Sequence, residues 1–540
     1  MKTITRSLAA GIVGVALAST PALATHKTHP VTGEVLSDNQ TYTYVSIDES
    51  SSLDPGLIED VSGAAVARDL FEGLLTQNAD GTLAPGVATR YTTNADKTVY
   101  TFHLRRNARW SNGDPVTAHD FEFAWKRAVS PELASPYSWY MEIMSIKNGA
   151  AVINGEKDKD ELGAKALDDY TFQVTLEASL PYFPSMVVHT TTMPVPTKIV
   201  NAFGDEWTKP GNMVSNGAYV LSEHVLNERQ SRVRNDLYWN NDATILDKVT
   251  TVIIQDENAA FNRYIAGEVD QTAPPSGQFN ALKKSMPNDV HTNPRLCTYY
   301  YNFNMDAAPF DDKRVRQALS YTIPRDIIID NILQGGQIPA YTFTPGATAN
   351  FTVPEVAFGM MTQAERDAAA VKLLAEAGYS KSNPLKATIL YNTSEGHKNI
   401  AIATSQMWKQ KLGVEITLEN QEWKTFLATK GAGDFEIARA GWCGDYNEAS
   451  TFLDLVNSES GYNDSNYNNP VVDKLLAEAK TMSDPNGNYT QIEKIIADDM
   501  PIAPIYHYTG NMLLKPYVKG YPFNNVEGNW YSRNMYITAH

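Results

Sequence analysis

Between Ile437 and Asp454 the chain reads IARAGWCGDYNEASTFLD, which places Arg439, Trp442, Cys443 and Asp445 within seven positions. The run opens with strand-like alternation and closes on polar turn residues, a passage that presents side chains to a ligand rather than burying them. A carboxylate held there suits a cation, so Asp445 is read as the holder of a positive ligand end. In another setting an aspartate in a polar turn is a cap or turn-former.

Signals for catalysis are missing elsewhere. The sequence contains no Gly-x-x-x-x-Gly-Lys-Ser/Thr, Gly-x-Ser-x-Gly, His-Glu-x-x-His or Cys-x-x-Cys, and its ten histidines are scattered singly. Abundant carboxylates are no signal for an acid/base pair. The expectation is a binding protein, not an enzyme, with no metal and no cofactor. Tyr299, Tyr300, Tyr301, Trp408, Trp423, Trp442, Tyr446, Tyr506 and Tyr508 supply the aromatic walls an enclosed site for a small organic or peptide ligand needs. Several of them must be core, Trp408 on a helix face among them. Trp423 and Trp442, each in or beside a strand-to-loop passage, are the candidates to line the site.

The elements that must position these residues belong to a chain of 540 residues, 43% hydrophobic and 20% charged, a globular composition too long for one core. The first residues, MKTITRSLAAGIVGVALASTPALA, form a basic, apolar and small-residue series that reads as a secretory signal cleaved after Ala24. Position 25 is threonine, not the cysteine of a lipid-anchored precursor, so an exported, soluble, periplasmic protein is expected. A formal charge of −17 without a basic block argues against nucleic acid and anionic membranes as partners. Two cysteines in an exported chain suggest a disulfide between Cys297 and Cys443.

Taken in order, Thr41 to Ile47 and Val99 to Leu104 read as strands, Asp60 to Leu75 as a helix, and Thr117 with Asp120 as the start of another. The short strands and turns in this part suggest an α+β module. Thr192 to Pro210 is loop-like text, and β-branched Val249 to Ile254 reads as a buried strand. From Arg295 the pattern becomes α/β: an aromatic strand RLCTYYYNFN, a helix from Asp311 to Leu319, and a helix opened by Thr362-Gln363-Ala364-Glu365 and closed at Gly378. Strand Leu385 to Tyr391, helix Lys398 to Leu412, and strands Val414 to Leu418 and Phe435 to Ala440 follow. Ligands of such sheets sit beyond strand ends, where Arg439 to Asp445 falls.

Ordered stretches along the whole mature length resemble the periplasmic oligopeptide-binding proteins of bacterial peptide ABC transporters, solute-binding protein family 5. They are SLDP (52–55), RDLFEGLL (68–75), PGVAT (85–89), WSNGDPVTAHDF (110–121), PGNMVSNGAYVL (210–221), ILYNTSEGHKNIAIA (389–403), NQEWKTFL (420–427), ARAGWCGDYNE (438–448) and RNMYITAH (533–540). The related murein-tripeptide-binding proteins look similar, and the two cysteines tip the choice toward the oligopeptide branch. The resemblance implies an α/β fold like the type II periplasmic binding proteins, with two large lobes joined by a hinge, an extra α+β domain, and a ligand enclosed between lobes. Lobe I would comprise residues 25–71, 198–296 and 513–540, the extra domain II residues 72–197, and lobe III residues 297–512.

The resemblance also implies the cargo and its contacts. A short peptide of about two to five residues would lie extended and pair its backbone with strand edges near Glu59 to Val61 and Gly441 to Cys443. Asp445 would take its α-ammonium, and Arg439, His397 and Lys430 its carboxylate end according to length. Lys430 stands where the family has an arginine, keeping the charge and losing the bidentate fork. Leu333 stands where the family has a further lysine, which bears on length preference. Tyr137, Trp423, Trp442 and Tyr508 would wall the pockets. The partners implied are an inner-membrane permease with its ATPases, and the chain would act as a monomer. Alternative readings are the same scaffold carrying murein tripeptide, haem or a metal complex, a chaperone-like holdase, or a secreted hydrolase.

Overall fold

The structure is a computed structural model and describes residues 27–540. The expected signal segment and its cleavage site therefore lie outside the described residues.

A seven-stranded sheet has the order Val290–His291, Met512–Leu514, Gln271–Thr272, Thr41–Ser46, Lys248–Ile253, Arg229–Arg234, Tyr219–Val225. Its centre is the parallel pair Thr41–Ser46 and Lys248–Ile253, whose β-branched residues suit a pleated, half-buried surface. The two ends of the described chain are stitched together beside it. Ser37 N–H donates to the Ile537 carbonyl at 2.9 Å, and the buried Gln40 amide bonds the Ile537 carbonyl and N–H at 2.8 and 2.9 Å.

Helix Val61–Leu70 is fixed to this sheet by a fully buried ion pair, Asp69 to Arg232 at 3.0 Å. Arg232 also donates to Thr251 Oγ1, and Asp69 accepts from the N–H and hydroxyl of Ser532. Replacing Arg232 with methionine strands the aspartate charge in the core, and urea denaturation is expected to show a loss of roughly 3–5 kcal/mol. The helix stops at Leu70, short of the expected Leu75. Phe71 is already extended, and the buried Glu72 is held outside the helix by Tyr238 OH (2.6 Å) and Trp239 Nε1 (2.5 Å).

The second sheet is antiparallel, in the order Ala88–Thr93, Val99–Leu104, Thr171–Thr175, Ala164–Asp168. Helix Ala118–Val129 starts at the expected Thr117 and Asp120, which form a capping box. Asp120 also accepts from Trp110 Nε1 and Thr197 Oγ1. The loop-like passage 192–210 contains a helix, Thr197–Phe203, started by Pro196, whose fixed φ suits a helix entry. This sheet's helix is tied to the first body by the bidentate pair Arg127 to Asp54, at 2.9 and 2.6 Å.

The third sheet runs Ile338–Pro339, Ile502–Thr509, Pro294–Phe303, Ile437–Cys443, Lys386–Asn392, Glu415–Gln421. Helix Glu395–Leu412 makes the crossover between the parallel strands Lys386–Asn392 and Glu415–Gln421. It begins three residues before the expected Lys398 because Ser394 caps it, and it ends where Gly413 takes a left-handed φ of +75°. Trp408 on this helix is core, fully buried with its indole N–H on the Leu319 carbonyl at 2.9 Å. Helix Gln363–Glu376 carries the expected Thr362/Glu365 capping box. Strand Ile437–Cys443 starts later and runs further than the expected Phe435 to Ala440, because its pairing with Pro294–Phe303 continues to Cys297 opposite Cys443. These two cysteines form the disulfide. Among the described residues no helix is long and apolar enough to cross a membrane, and no group of three or more His, Cys, Asp or Glu could hold a metal.

Candidate functional site

Strand Ile437–Cys443 is paired along its whole length with Pro294–Phe303, but on its other side only through Ile437 to Ile389 and Ala438 to Leu390. Among the described residues, its outer edge is unpaired from Arg439 to Cys443. Gly444 N–H donates to the Leu296 carbonyl at 2.7 Å. Antiparallel neighbours exchange bonds at every second residue, so Trp442 and Ala440 also bond inwards, and the N–H and C=O of Gly441 and Cys443 point outwards. Gly441 is the exposed residue of a mostly buried strand. A Cβ there would lie 3.0 Å from Arg439 Nη2 and 3.1 Å from Tyr508 OH, so a side chain at this position would crowd both groups.

Asp445 stands at one end of the open edge. Its backbone N–H donates to Thr451 Oγ1 at 2.9 Å, and its side chain is 10% exposed. Tyr137 OH donates to the carboxylate at 3.2 Å, and His189 Nε2 lies 3.4 Å away. Burial and the Asp445 charge hold the Tyr137 phenol well above its ordinary pKa, so it stays a donor. Tyr137 stacks on His189 and on Trp442, and its ring meets Tyr462, whose hydroxyl donates to Glu59 at 2.7 Å. The half-buried Glu527 is pushed up to about 7 by burial, with the Asp445 charge adding to it. Carboxylates and aromatic faces together make this end attractive to a cation.

Arg439, 8% exposed, stands at the other end. It donates to Tyr508 OH (2.9 Å) and Asn392 Oδ1 (3.3 Å), and its guanidinium lies over the Tyr299 ring. His397 packs against the same ring, 5.5 Å between centroids. Burial first, and then the Arg439 charge, drive His397 well below its usual pKa, which makes it a neutral hydrogen-bonding group instead of a second cation.

Other expected site residues are placed differently. Lys430 is not a free cation: it is 8% exposed, ion-paired with Asp464, and sits over the Tyr462 ring. The segment Glu59 to Val61 belongs to no sheet. Asp60 is extended, but Val61 is the first residue of a helix and 62% exposed, because Asp60 caps that helix through Gly63 N–H. Trp423 opens helix Trp423–Gly431 just past the end of strand Glu415–Gln421, beside a strand end as expected, and its buried indole N–H has no partner among the described residues. Trp442 donates to the Thr451 carbonyl at 2.7 Å. Leu333 packs at the margin of the apolar cluster that holds Tyr299 and Tyr506. An apolar cavity of about 540 Å³ beside Ile338–Pro339 shares only Tyr508 with these residues. His189, Tyr462, Asp464 and Glu527 carry no local sequence signal, since each is recruited from a distant segment.

Residues 82–464 match the model of the bacterial extracellular solute-binding proteins, family 5 Middle. The chain belongs to this family. Its members are described as extracellular solute-binding proteins, which fits a binding role. The periplasmic murein peptide-binding protein MppA of Escherichia coli is 46% identical over 512 residues, 94% of this chain and 95% of that one. The periplasmic oligopeptide-binding protein OppA of Salmonella typhimurium is 44% identical over 547 residues, 100% of each. Haemophilus influenzae OppA in complex with RPPGFSPFR superposes with a TM-score of 0.90 at 42% identity, covering 93% of this chain and 100% of that one.

Two MppA structures, the first from E. coli, superpose on this family 5 chain to different extents. Both are 46% identical and cover 94% of it, one with a TM-score of 0.92 over 100% of its own chain, the other, an unliganded open form, with 0.68 over 99%. At equal identity the present chain superposes better on the first than on the unliganded open form. In this chain the bonds from Tyr137 to Asp445 and from Tyr462 to Glu59 join distant parts of the sequence.

Proposed function

We propose that this family 5 protein is an exported periplasmic receptor that captures short peptides by backbone and termini and delivers them to an inner-membrane ABC permease and its ATPases. The observation that carries this reading is the unpaired edge from Arg439 to Cys443, with a carboxylate beyond one end and a guanidinium at the other. An extended peptide adds to it as a strand, with its amine at Asp445, its backbone on Cys443 and Gly441, and its carboxylate on Arg439. Main-chain pairing is blind to side chains, which supports broad specificity.

In this reading lobe I comprises residues 25–71, 198–296 and 513–540, domain II residues 72–197 and lobe III residues 297–512. A hinge closes lobes I and III over the cargo. Murein peptide is a second reading, supported by a likeness to MppA equal to that to OppA. Isothermal titration with tri- and tetrapeptides tests the proposal, and the absence of binding to any of them refutes it.

Protons should report the amine. An ammonium seated beside Asp445 favours the charged form of Glu527 and draws its pKa down from about 7. The bound state then holds fewer protons, so affinity rises with pH through about 7 until the peptide's own amine titrates near 8. Titrations in buffers of different ionisation heat should show proton release near neutrality, and Glu527→Gln should abolish it.

A further inference from the structure

The described chain passes directly between the first and third sheets twice, from Val290–His291 to Pro294–Phe303 and from Ile502–Thr509 to Met512–Leu514. The two crossings are bonded to each other: Gly510 N–H donates to the Asn293 carbonyl at 2.7 Å, and Thr292 Oγ1 to Asn511 Oδ1 at 2.8 Å. Both border the apolar cavity of about 540 Å³, through residues 292–295 and 507–509. Its opposite wall comes from Ile338–Pro339 and from parts of 341–360. Ile338, Val353 and Met360 line it yet are 60%, 45% and 65% exposed, so they stand at its mouth. Exposed apolar groups that converge on a concavity mark a binding surface, unlike single ones scattered over a protein.

Two charged residues border the cavity, and neither sets an enclosed counter-charge in it. The Arg295 guanidinium lies against Gly528, which is not part of the wall, and Glu355 is exposed. His507 is buried, and burial pushes it down to about 4, so it is neutral. Thr298 spends its hydroxyl proton on the Phe343 carbonyl at 2.7 Å, so at 2.9 Å it accepts from His507 Nδ1–H, and Nε2 is left as an acceptor. The hydroxyls of Thr292, Thr342 and Thr509 are donated to Asn511, Thr344 and Gly335, and Tyr508 OH receives Arg439. Asn293 Oδ1 has no partner but is closed in against Gly510. His507 Nε2 and the Tyr341 hydroxyl, neither of them bonded among the described residues, remain to meet a guest.

We propose that this cavity is a second ligand site, outside the peptide cleft, for an uncharged and mostly apolar small molecule that carries an N–H or hydroxyl donor for His507. Its volume suits such a guest, since pockets for small organic molecules run from about 300 to 1,000 Å³. An ion would lose its hydration there without an enclosed partner, whereas an apolar body covers the apolar wall and its donor answers the free imidazole nitrogen. The guest would pack against both segments that connect the two sheets, and only Tyr508 belongs to this wall and to the Arg439 end of the cleft. The inference goes beyond the peptide reading and does not depend on it.

The test is a fluorescence titration of the mature protein with N-phenylnaphthylamine, an uncharged apolar dye with a single N–H, and with its N-methyl derivative, which has none. The first dye is expected to saturate a single site, to bind roughly five- to tenfold tighter than the N-methyl derivative, and to stay bound when tri-alanine is added. The double variant Val353→Asp, Met360→Asp changes exposed side chains that the fold can spare, and it should weaken dye binding by roughly tenfold or more while binding tri-alanine as the parent does. No saturable signal, equal affinity for the two dyes, unchanged dye affinity in the double variant, or displacement of the dye by tri-alanine overturns the inference. None of these results removes the peptide reading, which fails on peptide titration alone.

Discussion

Asp445→Asn should weaken binding of a free-amine tripeptide by roughly two to three orders of magnitude and leave the N-acetylated tripeptide as weak as it already is. The carboxylate is almost enclosed, and its neighbours are the phenol of Tyr137 and the imidazole of His189. An ammonium bound there is cut off from water, so removing its counter-charge leaves it buried and unpaired, which costs about 2–5 kcal/mol. The asparagine is nearly isosteric and keeps the backbone bond to Thr451, so the loss reads charge rather than shape. Isothermal titration of the free and acetylated peptides on both proteins measures it. Equal losses for the two peptides would remove Asp445 from the role of amine anchor.

The Cys297→Ser, Cys443→Ser double variant should lose about 5 kcal/mol of stability, the chain-entropy value for a bridge closing a loop of 146 residues. The bridge ties directly opposed residues of neighbouring strands, one of which carries the open edge. The ladder between those strands survives without it, so peptide affinity of the folded variant should change far less than stability. Urea denaturation with and without reductant gives the first quantity and titration the second. An unchanged denaturation midpoint in the variant contradicts the estimate.

Much of the scaffold is legible along the chain because its causes are local. The capping boxes at Thr117/Asp120 and Thr362/Glu365 start helices where they are expected, since a cap is settled within four residues. The α/β alternation after Arg295 yields the crossover helix and its parallel strands, because periodicity reports the buried face. Asp445 announces itself as a polar group just past a strand end. Boundaries slip where a distant partner decides them: Glu72 leaves its helix for Tyr238 and Trp239, and the strand at Cys443 outlasts its own alternation because Cys297 lies opposite.

The one-dimensional pattern thus supplies many of the elements, the one pair of cysteines and a family likeness that points to the residues of the cleft. What those residues can do depends on the packed chain. Among the described residues it left one edge of Arg439 to Cys443 unpaired, captured Lys430 with Asp464, and held His397 neutral beside Arg439. The physical reason is that charge and hydrogen-bond capacity depend on what lies opposite. Here the opposing groups come from 308 positions away for Tyr137 and Asp445 and 403 for Tyr462 and Glu59, a separation no local pattern can encode.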